Sequence, residues 1–356
     1  MNLSHLGYNH RLAQTRIENN LTEFEIGRVI AQHKERYVVK TEAGDFEAEV
    51  TGSLRFSAET RADFPAVGDW VALTGCDGDF AVIHQIYPRF STISRQAVGQ
   101  FGKSQIIATN IDYALILQAV DRDFSVNRLE RYLTICHTSK VSPVIVLTKT
   151  DLISESLRAE ILEKVQQRVK DAPVFAISNE TRHGYDALCQ VIKPGKTFCL
   201  LGSSGVGKST LVNNLSGRNV MRTGVISGSS NRGRHITSHR ELILLENGGI
   251  LIDNPGMREV GIADTDNGLE TTFDSIFTLA ENCKFKDCTH TREMGCAVLT
   301  AVESGSLDSG VLDNYHKMLK EKSVFETSVR EKRKQAKIFG KIQKDYQKKD
   351  FKGRRH

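Results

Sequence analysis

The apolar positions of the chain change rhythm from one region to the next. Between residues 25 and 86 they come in short alternating runs, EIGRVIAQ, RYVVKT, FEAEV, DWVAL and FAVIHQI, each stopped by Gly, Asp or Pro. A period of two with frequent turn signals predicts short antiparallel strands, and five in this length predict an OB-like β-barrel. A polar leader precedes them. Residues 88–109, PRFSTISRQAVGQFGKSQIIAT, hold no clear period and read as a linker. From residue 111 apolar strands alternate with helical patterns: IDYALILQAV, RLERYLTICHTS, VSPVIVLTKTDL, SESLRAEILEKVQQRVKD, APVFAIS and YDALCQVIK. That alternation predicts a parallel sheet covered by helices, the α/β nucleotide-binding class. LILLE and GGILID add two strands, and a helical run from Leu307 to Leu319 closes the patterned part. The expected architecture is therefore multidomain. A leader and barrel span 1–90, a linker 91–110, an α/β domain 111–262, a small domain 263–325 and a basic tail 326–356.

Thr197 to Asn214, TFCLLGSSGVGKSTLVNN, reads as strand, glycine-rich loop and helix start. Gly202, Gly207, Lys208 and Ser209 match G-x-x-x-x-G-K-[ST] in the context that a phosphate-binding P-loop requires. The loop residues Gly202, Ser203, Ser204, Gly205, Val206, Gly207, Lys208, Ser209 and Thr210 would turn tightly and point successive N–H groups at phosphate oxygens. Lys208 would reach the β/γ-phosphates and Ser209 would ligate Mg²⁺.

Two loops upstream are read as contacting the base. Thr148-Lys149-Thr150-Asp151 follows the strand VIVL, and a carboxylate at the end of a parallel strand lies where such sheets bind ligands. Asp151 can accept from the ring N1–H and the amino group of guanine, a donor pair that adenine lacks, so guanine is favoured and an ATPase disfavoured. Ser178 and Asn179 follow VFAI at the place of the S-A-K base-contacting loop of GTPases, with Asn179 in place of the usual alanine.

Downstream, residues 222–241 are rich in Gly, Ser and Arg and read as a mobile loop. A hydroxyl within it would complete the Mg²⁺ shell. Thr237 fits, as do Thr223 and Ser238 on spacing alone. Asp253-Asn254-Pro255-Gly256 ends a strand and forms a D-x-P-G switch, with Asp253 holding Mg²⁺ through water and the Gly256 N–H meeting the γ-phosphate.

Cys283, Cys288, His290 and Cys296 stand within fourteen positions in a Lys-rich segment. Three sulfurs and one nitrogen form a closed tetrahedral set, which fits one structural Zn²⁺. The remaining cysteines are scattered, so the odd total of 7 suggests reduced thiols. With 39% hydrophobic and 26% charged residues, no long apolar run and no apolar core in the leader, the chain reads as cytosolic, with no membrane partner. The net charge of +5 is uneven: from Arg330 onward twelve Lys/Arg face Glu331, Asp345 and Asp350. A cationic arm of this kind suggests a polyanionic partner, nucleic acid first. On the barrel, Arg28, Lys34, Arg36, Tyr37, Lys40 and Arg55 offer charge and stacking for RNA, or a solvated surface.

In conventional GTPases the P-loop comes first and the base-reading motifs last. Here the order is reversed, so the same sheet is circularly permuted. This arrangement, with VGDWVAL, TKTD, GSSGVGKST, GRHITSHRE, DNPGMREVG and CKFKDCTH, closely resembles the RsgA (YjeQ/YloQ) family of small-ribosomal-subunit-dependent GTPases. The resemblance implies a monomeric, cytoplasmic GTPase that binds the small subunit and its rRNA. It would act late in subunit maturation and convert GTP to GDP in a ribosome-stimulated manner. It selects Thr237 as the second Mg²⁺ ligand and places His235 near the attacking water. Met257 follows the D-x-P-G glycine where many GTPases carry glutamine. An apolar side chain cannot orient water, so intrinsic turnover is expected to be slow. Asn254, Ile236 and the long basic tail depart from the family pattern without removing an atom that the mechanism needs. The contrasting reading is an RNA-binding module that holds nucleotide as a structural ligand without turnover.

Overall fold

The computed structural model describes residues 2–33, 36–76, 78–96, 104–121, 124–218, 241–253, 266–324 and 327. The basic tail from Arg330 lies outside them.

Five strands close a barrel: β1 (Glu25–His33), β2 (Arg36–Lys40), β3 (Asp45–Val50), β4 (Trp70–Gly75) and β5 (Phe80–Ile86). They follow one another as β1-β2-β3-β5-β4, and β4 returns to β1. The inward positions Val29, Tyr37, Val39, Ala48, Val71, Leu73, Ala81 and Ile83 fill the barrel, as the alternating pattern requires. Two of the expected RNA-facing residues are therefore unavailable. Tyr37 belongs to this core, and Arg28 is 1% exposed. Arg36 pairs with Glu47 and Glu49, Lys40 pairs with Asp45, and Lys34 lies outside the described residues.

The leader is structured. A 3-10 turn (Leu3–Leu6) and helix α1 (His10–Glu18) bury Leu3, Leu6 and Leu12, and with Leu21 these pack on Trp70, Ala72 and Tyr87 of the barrel. Arg28 ties three segments together: its guanidinium donates to the carbonyls of Leu6, of Gly68 at 3.2 Å and of Asn110 at 3.1 Å. Burial pulls its pKa down to about 10, offset in part by Asp112 and Asp69. A helix α2 (Gly52–Ser57) lies between β3 and β4. The stretch expected as a linker carries a ribbon, β6 (Thr92–Gln96) against β7 (Ser104–Thr109), whose Ile93, Ile107 and Ala108 join the core of the following domain.

That domain is built on β8 (Tyr113–Ala119), β9 (Ser142–Thr148), β10 (Val174–Ala176), β11 (Thr197–Leu201), β12 (Glu241–Leu244) and β13 (Ile250–Asp253). The order is β10-β9-β8-β11-β13-β12, parallel except for β12, which pairs antiparallel with β13 and meets β1 of the barrel at Ala31 and Glu241. Alternate residues of each strand face opposite layers. Ile116, Ile145, Cys199 and Ile252 meet α3 (Val126–Thr138) and α4 (Glu155–Arg168), whereas Leu115, Val146, Phe198, Leu200 and Leu251 meet α5 (Tyr185–Val191) and α6 (Lys208–Ser216). Both faces are covered, which is why these strands read as continuous apolar runs.

The small domain holds α7 (Asp266–Thr272), α8 (Asp274–Ala280), α9 (Ala297–Glu303) and a helix over 309–324, around Phe273, Ile276, Val298, Leu312, Tyr315 and Met318. It docks on α3. A Cβ on Gly268 would stand 2.4 Å from the Thr134 carbonyl, so glycine permits the close approach of α7. Thr272 Oγ1 lies 3.0 Å from His137 Nδ1 and 3.1 Å from Thr134 Oγ1. Below them the buried Glu130 carboxylate accepts from Arg168 and from Asn314 Nδ2 at 2.5 Å. A cleft of about 200 Å³ opens along this junction, away from the nucleotide loops, lined by His137, Arg168, Asp171, Asp274 and Asp308 among others.

Candidate nucleotide site and metal centre

Every predicted nucleotide-contacting loop within the described residues follows the C-terminal end of a parallel strand. β11 stands at the centre, with β8, β9 and β10 on one side and β13 on the other. The crevice at such a divide is where open α/β sheets bind ligands.

The P-loop turns through Gly202, Gly205 and Gly207 at φ of 144°, 77° and 93°. A Cβ on Gly202 would lie 2.4 Å from the Leu117 carbonyl, so the loop hugs β8. Lys208 starts α6, and its ammonium donates to the carbonyls of Gly202 at 2.8 Å and Ser203 at 2.5 Å. The cation is thus held over the loop it belongs to. Ser203 also hydrogen-bonds Tyr132 of α3, whose phenol pKa is raised by burial and lowered in part by that bond.

The loops predicted to read the base are joined to the P-loop by side chains. Thr148 Oγ1 donates to the Val206 carbonyl at 2.7 Å, and Asn179 Nδ2 donates to the Gly207 carbonyl at 3.0 Å. Lys149 takes a left-handed conformation at φ 61°, and its ammonium pairs with Asp121 at 2.7 Å. Thr150 is buried, whereas Asp151 is exposed in the 3-10 turn Thr150–Leu152. Buried Ser178 caps its own loop, its hydroxyl accepting from the N–H groups of Glu180 at 3.2 Å and Thr181 at 3.1 Å. Asp121 was missed in the sequence, although a carboxylate just past a parallel strand is the signal that singled out Asp151.

Asp253 closes β13, the strand beside the P-loop strand. His235, Thr237 and Gly256, with the alternatives Thr223 and Ser238 and with Met257, lie outside the described residues.

The metal-type cluster is assembled. The ligand atoms of Cys283, Cys288, His290 and Cys296 all lie within 4.8 Å of one another. A tetrahedral zinc with Zn–S near 2.3 Å and Zn–N near 2.0 Å needs S···S edges of roughly 3.8 Å and S···N edges of roughly 3.5 Å. Cys283 and Cys296 sulfurs are 3.8 Å apart, and His290 Nδ1 lies 3.7 Å from Cys283 Sγ and 3.4 Å from Cys296 Sγ. The donor set and its spacing fit Zn²⁺. Burial lowers the His290 pKa and favours the neutral imidazole that ligation requires. Glu293 fixes the ligand loop from outside, accepting from the Thr289 hydroxyl and from the N–H groups of Thr289, Thr291 and Arg292. These bonds hold its carboxyl well below the usual range.

A family model described as RsgA GTPase matches residues 86–263. A small ribosomal subunit biogenesis GTPase RsgA 2 of Lactiplantibacillus plantarum is 47% identical over 298 residues, covering 84% of this chain and 83% of the relative. The chain belongs to the RsgA GTPase family. Membership makes it a GTP hydrolase, with GTP and GDP as nucleotides and Mg²⁺ as their ion. Among solved structures, YjeQ from Thermotoga maritima shares the fold at a TM-score of 0.63 and 24% identity, covering 83% of this chain and 98% of that one. YloQ, titled a circularly permuted GTPase, aligns at a TM-score of 0.60 and 26% identity over 87% of this chain and 96% of its own. The β8-to-β13 sheet, with the loops after β9 and β10 ahead of the P-loop in the chain, has the circularly permuted arrangement. No helix among the described residues is long and apolar enough to cross a membrane.

Proposed function

We propose that the chain binds the small ribosomal subunit through its rRNA, acts late in that subunit's maturation and leaves after GTP hydrolysis that the subunit stimulates. It works as a cytoplasmic monomer. The relative's name supports the subunit as partner, and the basic tail supplies charge for rRNA. The observation that carries the nucleotide reading is the pair of side-chain bonds from Thr148 and Asn179 to successive P-loop carbonyls, which brings base-reading and phosphate-reading loops into one crevice.

Within that crevice Lys208 and the loop amides from Gly202 to Thr210 bind phosphate, and preorganised charge there favours the transition state. Asp151 accepts from guanine, the Ser178 loop presents its amides to the base, and Lys149 is aligned by Asp121. Ser209 and Thr237 hold Mg²⁺ directly and Asp253 holds it through water. The Gly256 N–H meets the γ-phosphate, and His235 orients the attacking water. Cys283, Cys288, His290 and Cys296 hold one structural zinc, which leaves no open position for catalysis.

GTP turnover measured with and without purified small subunits tests the reading. A stimulated rate is expected. An unchanged rate would instead support the RNA-binding module that keeps nucleotide as a structural ligand.

A further inference from the structure

Asn179 sits in the base-contacting loop, yet its side chain is committed to the phosphate loop. Its Nδ2 donates to the Gly207 carbonyl at 3.0 Å, and its Oδ1 accepts from the Tyr185 hydroxyl at 2.7 Å. Asn214 of α6 closes the cluster, donating to the Asn179 carbonyl at 3.0 Å and to the Tyr185 hydroxyl oxygen at 2.8 Å. Arg182 covers the Tyr185 ring at 5.4 Å and bonds the Asn214 carbonyl at 3.2 Å. The fit leaves no slack: a Cβ on Gly207 would lie 2.5 Å from Asn179 Nδ2. Alanine, the residue expected in such a loop, has no atom that makes these bonds.

The consequence follows from peptide planarity. The Gly207 carbonyl and the Lys208 N–H belong to one trans peptide and point to opposite sides. The carbonyl is held twice, by Asn179 and by the Leu211 N–H at 2.9 Å inside α6. The Lys208 N–H belongs to the first turn of α6, whose amides point toward the helix end that receives an anion. Fixing the carbonyl therefore fixes the direction of that N–H.

We propose that Asn179 is a positioning residue for phosphate binding: through the Gly207–Lys208 peptide it aims the Lys208 amide at the nucleotide's β-phosphate. This rests on the P-loop reading above. The test is calorimetric titration of the full chain with GDP and with GMP, which lacks the β-phosphate, for wild type, Asn179→Ala and Tyr185→Phe. Loss of one such bond in Asn179→Ala is expected to weaken GDP about fivefold while leaving GMP nearly unchanged. Tyr185→Phe keeps the ring but frees Asn179 Oδ1, and shifts the GDP-to-GMP preference the same way by less. Equal weakening of GDP and GMP would overturn the proposal and confine Asn179 to the base loop. Unchanged affinities, even with a lower melting temperature, would overturn it as well. A wild type that binds GMP as tightly as GDP would instead overturn the P-loop reading beneath it.

Discussion

Arg168 grips Glu130 with two nitrogens, Nε at 2.9 Å and an Nη at 2.8 Å, beneath the helix that carries Asn314. Both side chains are nearly enclosed, at 10% and 3% exposure. Truncating one partner of a buried pair strands the other charge, so Arg168→Met is expected to cost about 3 to 5 kcal/mol. The double change Glu130→Leu with Arg168→Met costs less than Arg168→Met alone. Denaturant unfolding of the two single variants and the double variant checks this, and a double cost equal to the sum of the single costs would show that the pair is not coupled.

Lys208→Ala removes the cation that spans the P-loop. Turnover is expected to fall by at least ~100-fold, in line with the loss of a preorganised charge at a transition state. Single-turnover hydrolysis at saturating GTP measures it. A rate within threefold of wild type would remove Lys208 from the mechanism.

Cys288→Ser, or prolonged chelation, is expected to release about one zinc per chain and to expose the small domain, whose core is too slight to stand without metal. Metal analysis alongside limited proteolysis of residues 266–324 reads both events. Retention of metal by the serine variant would mean that Cys288 is not a ligand.

His137 faces Thr272 at the junction of α3 and α7, and burial lowers its pKa from 6.5, with Asp171 opposing. A base with a depressed folded pKa stabilises the fold fully above its unfolded value and loses that contribution as pH falls from about 6.5 through the folded value. Docking of the small domain should therefore loosen between pH 7 and pH 5. Melting temperatures across that range should fall less steeply in His137→Asn, and parallel curves would refute the assignment.

Deleting residues 330–356 removes twelve Lys/Arg. If four of them reach phosphates, the logarithmic salt slope of subunit binding falls by about 3. Filter binding at several salt concentrations gives the slope, and an unchanged value would make the tail a matter of solubility.

Much of this was written in local pattern. The barrel, the α/β layers, the P-loop and the Cys/His cluster each depend on spacing within one segment, so period and motif disclosed them. What stayed hidden depends on convergence of distant segments. Leu3, Leu6, Leu12 and Leu21 are too widely spaced to signal a packed leader, and only Trp70, Ala72 and Tyr87 give them a surface to cover. Arg28 looked like a surface charge because its acceptors lie at Leu6, Gly68 and Asn110. Asn179 looked like a departure from a loop pattern until Gly207, 28 positions on, was found beside it.

The strand order also bears on how the sheet is assembled. β9 joins β8, β10 joins β9, β11 takes the free side of β8, and the β12–β13 hairpin adds next to β11. Each segment released by synthesis finds an open edge waiting, and none must be threaded between strands already paired. Placing the β8–β10 half at the front thus gives a domain that can grow outward from its first strand, with the P-loop laid down on a template that has already formed.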